Sequence, residues 1–255
     1  MKKNNFDIIV KNLFKYKNKL IEIDKIKDIV KKILDSEYSE NKAYKMIYHL
    51  KNKWYLLNLK KGLFLVKNPE KKYQEQQLLE MFYWSIVKRH CKEFANNKWY
   101  IWGIKALELN ITNFDIPEEL LIINEQKQSL ETLMFEKQVS FKTYESGDKN
   151  LFNIFKKFTK NMYVWKNVFP IANIELAILE SLYNPSVVNR WYTEELIKKI
   201  IRKNRKNLDL TVFEEILKSG KHHSSVNRLY KISLSIDPEL SENLKDIIKK
   251  YSYIL

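Results

Sequence analysis

Apolar residues recur every three to four positions through most of the first fifty residues. Phe6, Ile9, Val10, Leu13 and Phe14 share one face and predict a helix over 5–16. Leu20 to Ile23 reads as a short strand. Asp24 is expected to cap a second helix that carries Ile26, Ile29, Val30, Ile33 and Leu34 on one side. The polar step Asp35-Ser36-Glu37-Tyr38 ends it, and Ser39 caps a third helix over 40–52 with a stripe of Ala43, Ile47 and Leu50. A hairpin follows. Its arms are Trp54 to Leu59 and Leu63 to Val66, joined at Lys60-Lys61-Gly62, where the glycine supplies the positive φ of a tight connection.

Helix, strand, helix, short break, basic helix, hairpin is the order of a winged helix-turn-helix. On a 3.6-residue wheel the stripe of the third helix leaves Asn41, Lys42, Lys45, Tyr48, His49 and Asn52 pointing outward. Lysine reaches guanine or phosphate, asparagine pairs with adenine, and tyrosine meets phosphate or a thymine methyl. Lys60 and Lys61 would stand at the wing tip, beside a phosphate backbone. The plainer readings are a solvated face on a lysine-rich helix and lysines that guard a hairpin edge. The expected DNA-binding set is therefore Asn41, Lys42, Lys45, Tyr48, His49, Lys60 and Lys61.

Lys67-Asn68-Pro69-Glu70-Lys71-Lys72 has the composition of a linker, which places domains at 1–68 and 73–255. A long helix is expected over 74–94, then a short strand or lead-in at Trp99 to Gly103 and a helix over 104–109. Strands are expected at Leu120 to Ile123, Leu133 to Glu136, Val139 to Tyr144 and Met162 to Trp165, with a turn at Ser146-Gly147-Asp148. Asn173 caps a helix through Tyr183 that stops at Asn184-Pro185. Helices near 193–203, 210–219, 224–236 and 238–251 complete a helical end. The fold class is α+β, a winged helix-turn-helix followed by a mixed α/β domain that ends helical.

The chain is 255 residues with a formal charge of +15. That charge is uneven: residues 1–76 hold 19 Lys/Arg against 9 Asp/Glu, and the rest hold 27 against 22. An AT-rich coding bias would raise lysine everywhere, so the concentration at one end is what favours a polyanionic partner there. A lone cysteine, Cys91, excludes an internal disulfide framework. No apolar run approaches the roughly 20 residues of a membrane span. No apolar block follows the Met1-Lys2-Lys3 start, so no export signal and a cytoplasmic location are expected.

Four segments resemble the AbiEi-type antitoxins of abortive-infection (type IV) toxin–antitoxin systems. They are Lys61-Gly62-Leu63-Phe64 at the wing, and Trp99-Tyr100-Ile101-Trp102 leading into Ile104-Lys105-Ala106-Leu107-Glu108-Leu109. The third runs from Phe169 to Tyr183 and is similar to that family's strand and "PExALLDLLY" helix, with Asn173-Ile174-Glu175 at the proline-glutamate step. The fourth is Ser224 to Tyr230, similar to its "xxARRLGYLL" helix, with Tyr230 where that pattern has glycine. The resemblance implies an operon repressor that binds operator repeats in double-stranded DNA, and a second domain that helps neutralise a nucleotidyltransferase-like toxin.

Catalysis is not expected. The main rival is a Mg²⁺-dependent nuclease built on Asp115, Glu125 and Lys127, an Asp followed across a strand by Glu-x-Lys. An acidic residue two before a lysine is common in a chain with 30% charged residues, and a solvated turn is the simpler reading. Glu175 and Glu180 lie about 140° apart on one helix and do not converge. Glu175 suits the helix dipole. His222-His223 is expected in a turn or on a phosphate, and adjacent His90 and Cys91 face different ways. No metal or cofactor site is expected. Trp54, Trp84, Trp102 and Trp165 sit in apolar runs and are expected in the core rather than stacked on bases.

Overall fold

The structure is a computed structural model that describes residues 3–60, 62–70, 75–126, 129–144, 151–183, 190–204 and 208–251. Among the described residues it holds eleven α-helices and two β-sheets, an α+β fold. It divides into two compact units, Met1–Met81 with Leu133–Phe135, and Phe82–Thr132 with Glu136–Leu255.

In the first unit α1 (Lys3–Leu13) passes through a 3-10 turn, Phe14–Tyr16, into β1 (Leu20–Glu22), α2 (Ile23–Leu34) and α3 (Glu40–Asn52). Helix α2 starts two residues earlier than expected, after Glu22, so Asp24 lies in its first turn instead of capping it. A second 3-10 turn, Asp35–Glu37, forms the break before α3. The hairpin is β2 (Leu56–Lys60) and β3 (Leu63–Val66). Strand β1 adds to it antiparallel, Leu20 opposite Leu65 and Ile21 opposite Phe64, giving the order β1-β3-β2. A bulge interrupts β2 between Asn58 and Lys60. Ile9, Leu13, Ile26, Val30, Met46, Leu50, Phe64 and Val66 are among the buried side chains of one core. Each comes from the predicted apolar stripes or the hairpin arms except Met46, which widens the α3 stripe.

The larger sheet has six strands, in the order β6-β7-β5-β4-β9-β8. Its strands are β4 (Trp99–Ile101), β5 (Glu119–Asn124), β6 (Leu130–Met134), β7 (Lys137–Lys142), β8 (Thr159–Val164) and β9 (Asn167–Ala172). Strands β5 and β7 run parallel, as do β4 and β9, while β4–β5 and β8–β9 are antiparallel. Strand β6 ends at Met134, and Phe135-Glu136, expected inside it, form the turn, with φ +52° and +63°. The turn at 146–148 and the stop at 184–185 lie outside the described residues.

Helix α4 (Glu75–Ala95) leads to β4, and α5 (Gly103–Asn110) to β5. A short α6 (Leu151–Lys156), which no periodicity announced, precedes β8. Helix α7 (Ile174–Tyr183) is started by Asn173, whose Oδ1 accepts the Leu176 N–H at 2.9 Å. It is buried from Glu175 to Leu182 and packs against α5 and against α8 (Arg190–Asn204), α9 (Leu210–Leu217) and α10 (His223–Ser233). Helix α11 (Pro238–Lys250) packs on α10. No described helix is long and apolar enough to cross a membrane.

Candidate functional site

Helix α3 begins where Ser39 Oγ accepts the Lys42 N–H at 3.3 Å. Ala43, Met46, Ile47 and Leu50 bury one side. At 100° per residue, Asn41, Lys45, Tyr48 and Asn52 form the opposite ridge, flanked by Lys42 and His49, and all six are exposed. The one acid on this helix, Glu40, is held by the Lys27 ammonium of α2 at 2.8 Å and by the Tyr38 hydroxyl at 3.0 Å. Those hydrogen bonds keep its carboxyl below the ordinary range. Lys27 also donates to Tyr44 Oη at 3.0 Å. The outward charge of α3 beyond Glu40 is therefore cationic: Lys42, Lys45 and Lys51.

Gly62 has φ +78°, as the hairpin requires, and its carbonyl accepts the Ile23 N–H at 2.8 Å. That bond ties the hairpin tip to the start of α2. Lys61 and the side chain of Lys60 fall outside the described residues. Trp54 and Trp165 correct the expectation of core tryptophans, since they are 60% and 69% exposed. Both occupy left-handed backbone, φ +62° and +53°, where a chain leaves a helix or strand and projects the side chain outward. Trp54 follows α3 directly, and the Lys67 ammonium lies 4.7 Å from its ring centre. The exposed aromatic set beside the α3 ridge is thus Tyr44, Tyr48 and Trp54. Only Tyr48 was expected outward.

The residues of the nuclease reading are spread out. Asp115 precedes β5 and Glu125 follows it, and a six-residue strand spans about 20 Å. Glu125 is engaged by the Lys98 ammonium at 2.5 Å, which lowers its pKa. Lys127 lies outside the described residues. No group of three potential metal ligands occurs among the described residues. His222 lies in the connection before α10, as expected of a turn, with φ +64°, but its side chain is interior and not on a phosphate. It is 3% exposed, packs edge-on to Phe155 and Tyr183, and burial drives its pKa down to about 4. Glu175 is also more than a dipole partner: it is buried, its Oε1 accepts the Asp209 N–H at 3.0 Å, and burial raises its pKa. On α4, Cys91 is 0% exposed, and burial pushes its thiol up.

Sequence spacing did not announce the interior acid of the second unit. Glu180 of α7 is 0% exposed. Its Oε1 accepts from the Tyr100 hydroxyl and the Tyr144 hydroxyl, each at 2.8 Å, and the two phenol oxygens are 2.7 Å apart. Its Oε2 accepts the Gly103 N–H at 2.9 Å. Burial outweighs these three hydrogen bonds, each of which favours the ionised carboxylate, and raises the pKa of Glu180 to about 8. Beside this group, still in the second unit, opens a cavity of about 910 Å³ lined by α5, the 113–118 loop, β5, the end of β7, the end of α7, Tyr192 and His222.

No family model and no curated protein sequence matches the chain. Among solved structures, the crystal structure of the Rv2827c protein from Mycobacterium tuberculosis is similar in fold, with a TM-score of 0.63 at 12% identity. The match covers 97% of this chain and 81% of that one.

Proposed function

We propose that this chain is a DNA-binding repressor whose first unit acts as a winged helix-turn-helix, with α3 as the reading helix and the β2–β3 hairpin as the wing. The observation that carries the reading is the single ridge of Asn41, Lys45, Tyr48 and Asn52, fully turned to solvent on a helix followed by a glycine-tipped hairpin. Helices, hairpin and the added strand β1 follow in the order such a module needs. The excess positive charge of residues 1–76 supplies the sequence-independent attraction, and the asparagines supply base readout. The resemblance of four segments to AbiEi-type antitoxins extends the proposal to repression of its own operon and neutralisation of a nucleotidyltransferase-like toxin.

Fluorescence anisotropy with duplex DNA from upstream of its own reading frame tests the first part. Lys42→Ala is expected to weaken all duplexes alike and to lower the slope of log K against log salt by about 1. Asn41→Ala and Lys45→Ala are expected to relax sequence preference as well, at about 1–3 kcal/mol for each lost base contact. Parental binding by all three variants would overturn the assignment of α3. Co-expression with the product of a neighbouring nucleotidyltransferase gene tests the second part: growth should be rescued by the chain and not by an empty vector.

A further inference from the structure

The cavity of the second unit has a composition that the DNA-binding reading does not use. Its volume, about 910 Å³, is that of a small-molecule site. Trp102, Tyr144, Tyr183 and Tyr192 give it aromatic walls, and Ile104 and Leu121 are among its aliphatic ones. Its fixed charges are already matched or absent. Lys105 is held by Glu108 at 2.7 Å and by the Asn113 carbonyl at 3.3 Å, and Lys142 by Glu131 at 2.6 Å. Lys221 is engaged too. Glu180 keeps its proton at neutral pH and His222 is neutral there. At the mouth Asp115 and Glu119 are exposed carboxylates, and exposed Glu118 is held by the Lys137 ammonium at 2.5 Å.

One donor in this wall is under-used. Trp102 Nε1 is buried and meets no acceptor at hydrogen-bond geometry, although its N–H acts on the Tyr144 hydroxyl. A buried N–H without a full partner is expensive, and an acceptor on a ligand would satisfy it. We propose that the cavity binds an uncharged planar heteroaromatic molecule that stacks among Trp102, Tyr144 and Tyr192 and presents a carbonyl or ring nitrogen to Trp102 Nε1. Among the described residues a charged ligand finds no free counter-ion inside, and an anion also meets the carboxylates at the mouth. Stacking provides the affinity, and the indole N–H fixes the orientation.

Three probes of one ring shape separate the charge states: 2-quinolone (neutral, with a carbonyl), quinoline-2-carboxylate (anion) and 2-(aminomethyl)quinoline (cation). The full chain, labelled with ¹⁵N, gives one indole N–H signal per tryptophan, and Trp102→Phe identifies that of Trp102. Titration with 2-quinolone is expected to move the Trp102 signal and leave that of exposed Trp165 in place. The anion should bind at least about tenfold more weakly than 2-quinolone, and Trp102→Phe should weaken 2-quinolone by about tenfold. Ile104→Trp, which fills the cavity, should abolish binding. The titration of the unaltered chain decides the matter even where that variant does not fold. A Trp102 signal unmoved at millimolar 2-quinolone would overturn the proposal. So would either charged probe, the carboxylate or the ammonium, that binds as tightly as the neutral one.

Discussion

A carboxylic acid that keeps its proton in the folded chain leaves a mark on stability. Glu180 titrates near 4.5 when unfolded and at about 8 when folded. The folded chain therefore holds the extra proton between those values, and stability falls as pH rises through that window and stays low above it. His222 acts in the opposite sense. Its pKa drops from 6.5 to about 4 on folding, so its contribution is lost as pH falls below 6.5 towards 4. Above pH 6.5 Glu180 is the one of the two still changing. Glu180→Gln mimics the protonated acid, its amide oxygen on the Gly103 N–H and its amide hydrogens on the tyrosines. Urea unfolding between pH 6.5 and 9 should show the parent losing stability while the variant does not, with a gap of roughly 3–5 kcal/mol at the upper end. Equal slopes would mean that Glu180 ionises freely. The sequence made plain that Glu175 and Glu180 point apart. It could not show what each faces, because the partners of Glu180 come from 36 to 80 residues away in the chain.

Elements with their own local signals were legible. Ser39 and Asn173 cap where the side-chain oxygen meets the backbone, and Gly62 turns where φ must be positive. Gly62→Ala tests that turn. A Cβ there would sit 3.6 Å from Ile23 Cγ2, an ordinary contact, so the expected loss of about 1–2 kcal/mol is conformational. Thermal unfolding measures it, and Gly62→Asn should lose less. The less legible turns lack that chemistry. Phe135-Glu136 makes a two-residue turn with both φ positive and neither Gly nor Asn present, so the strand pattern ran through it. Glu136→Gly should relieve the backbone and raise stability by about 0.5–1 kcal/mol. Helix α6 is six residues long, too short for a 3.6-residue period to stand out. Trp54 and Trp165 misled for a related reason. An apolar run predicts burial, yet a single left-handed residue at its edge sends one side chain to water.

At the scale of the whole chain, the positive excess of residues 1–76 and the acid-rimmed cavity of the second unit invite different partners. Raising salt from about 50 to 200 mM should weaken DNA binding steeply and leave 2-quinolone binding nearly unchanged, because screening acts on charged contacts and stacking has none. Parallel titrations of the same preparation would show it. The solitary cysteine offers a further handle. Cys91 lies in the interior of α4 with its thiol far from ionising, so a maleimide can reach it only when the surroundings of that helix come apart. The alkylation rate of the unmodified chain thus becomes a clock for opening events, readable by mass spectrometry without any introduced label.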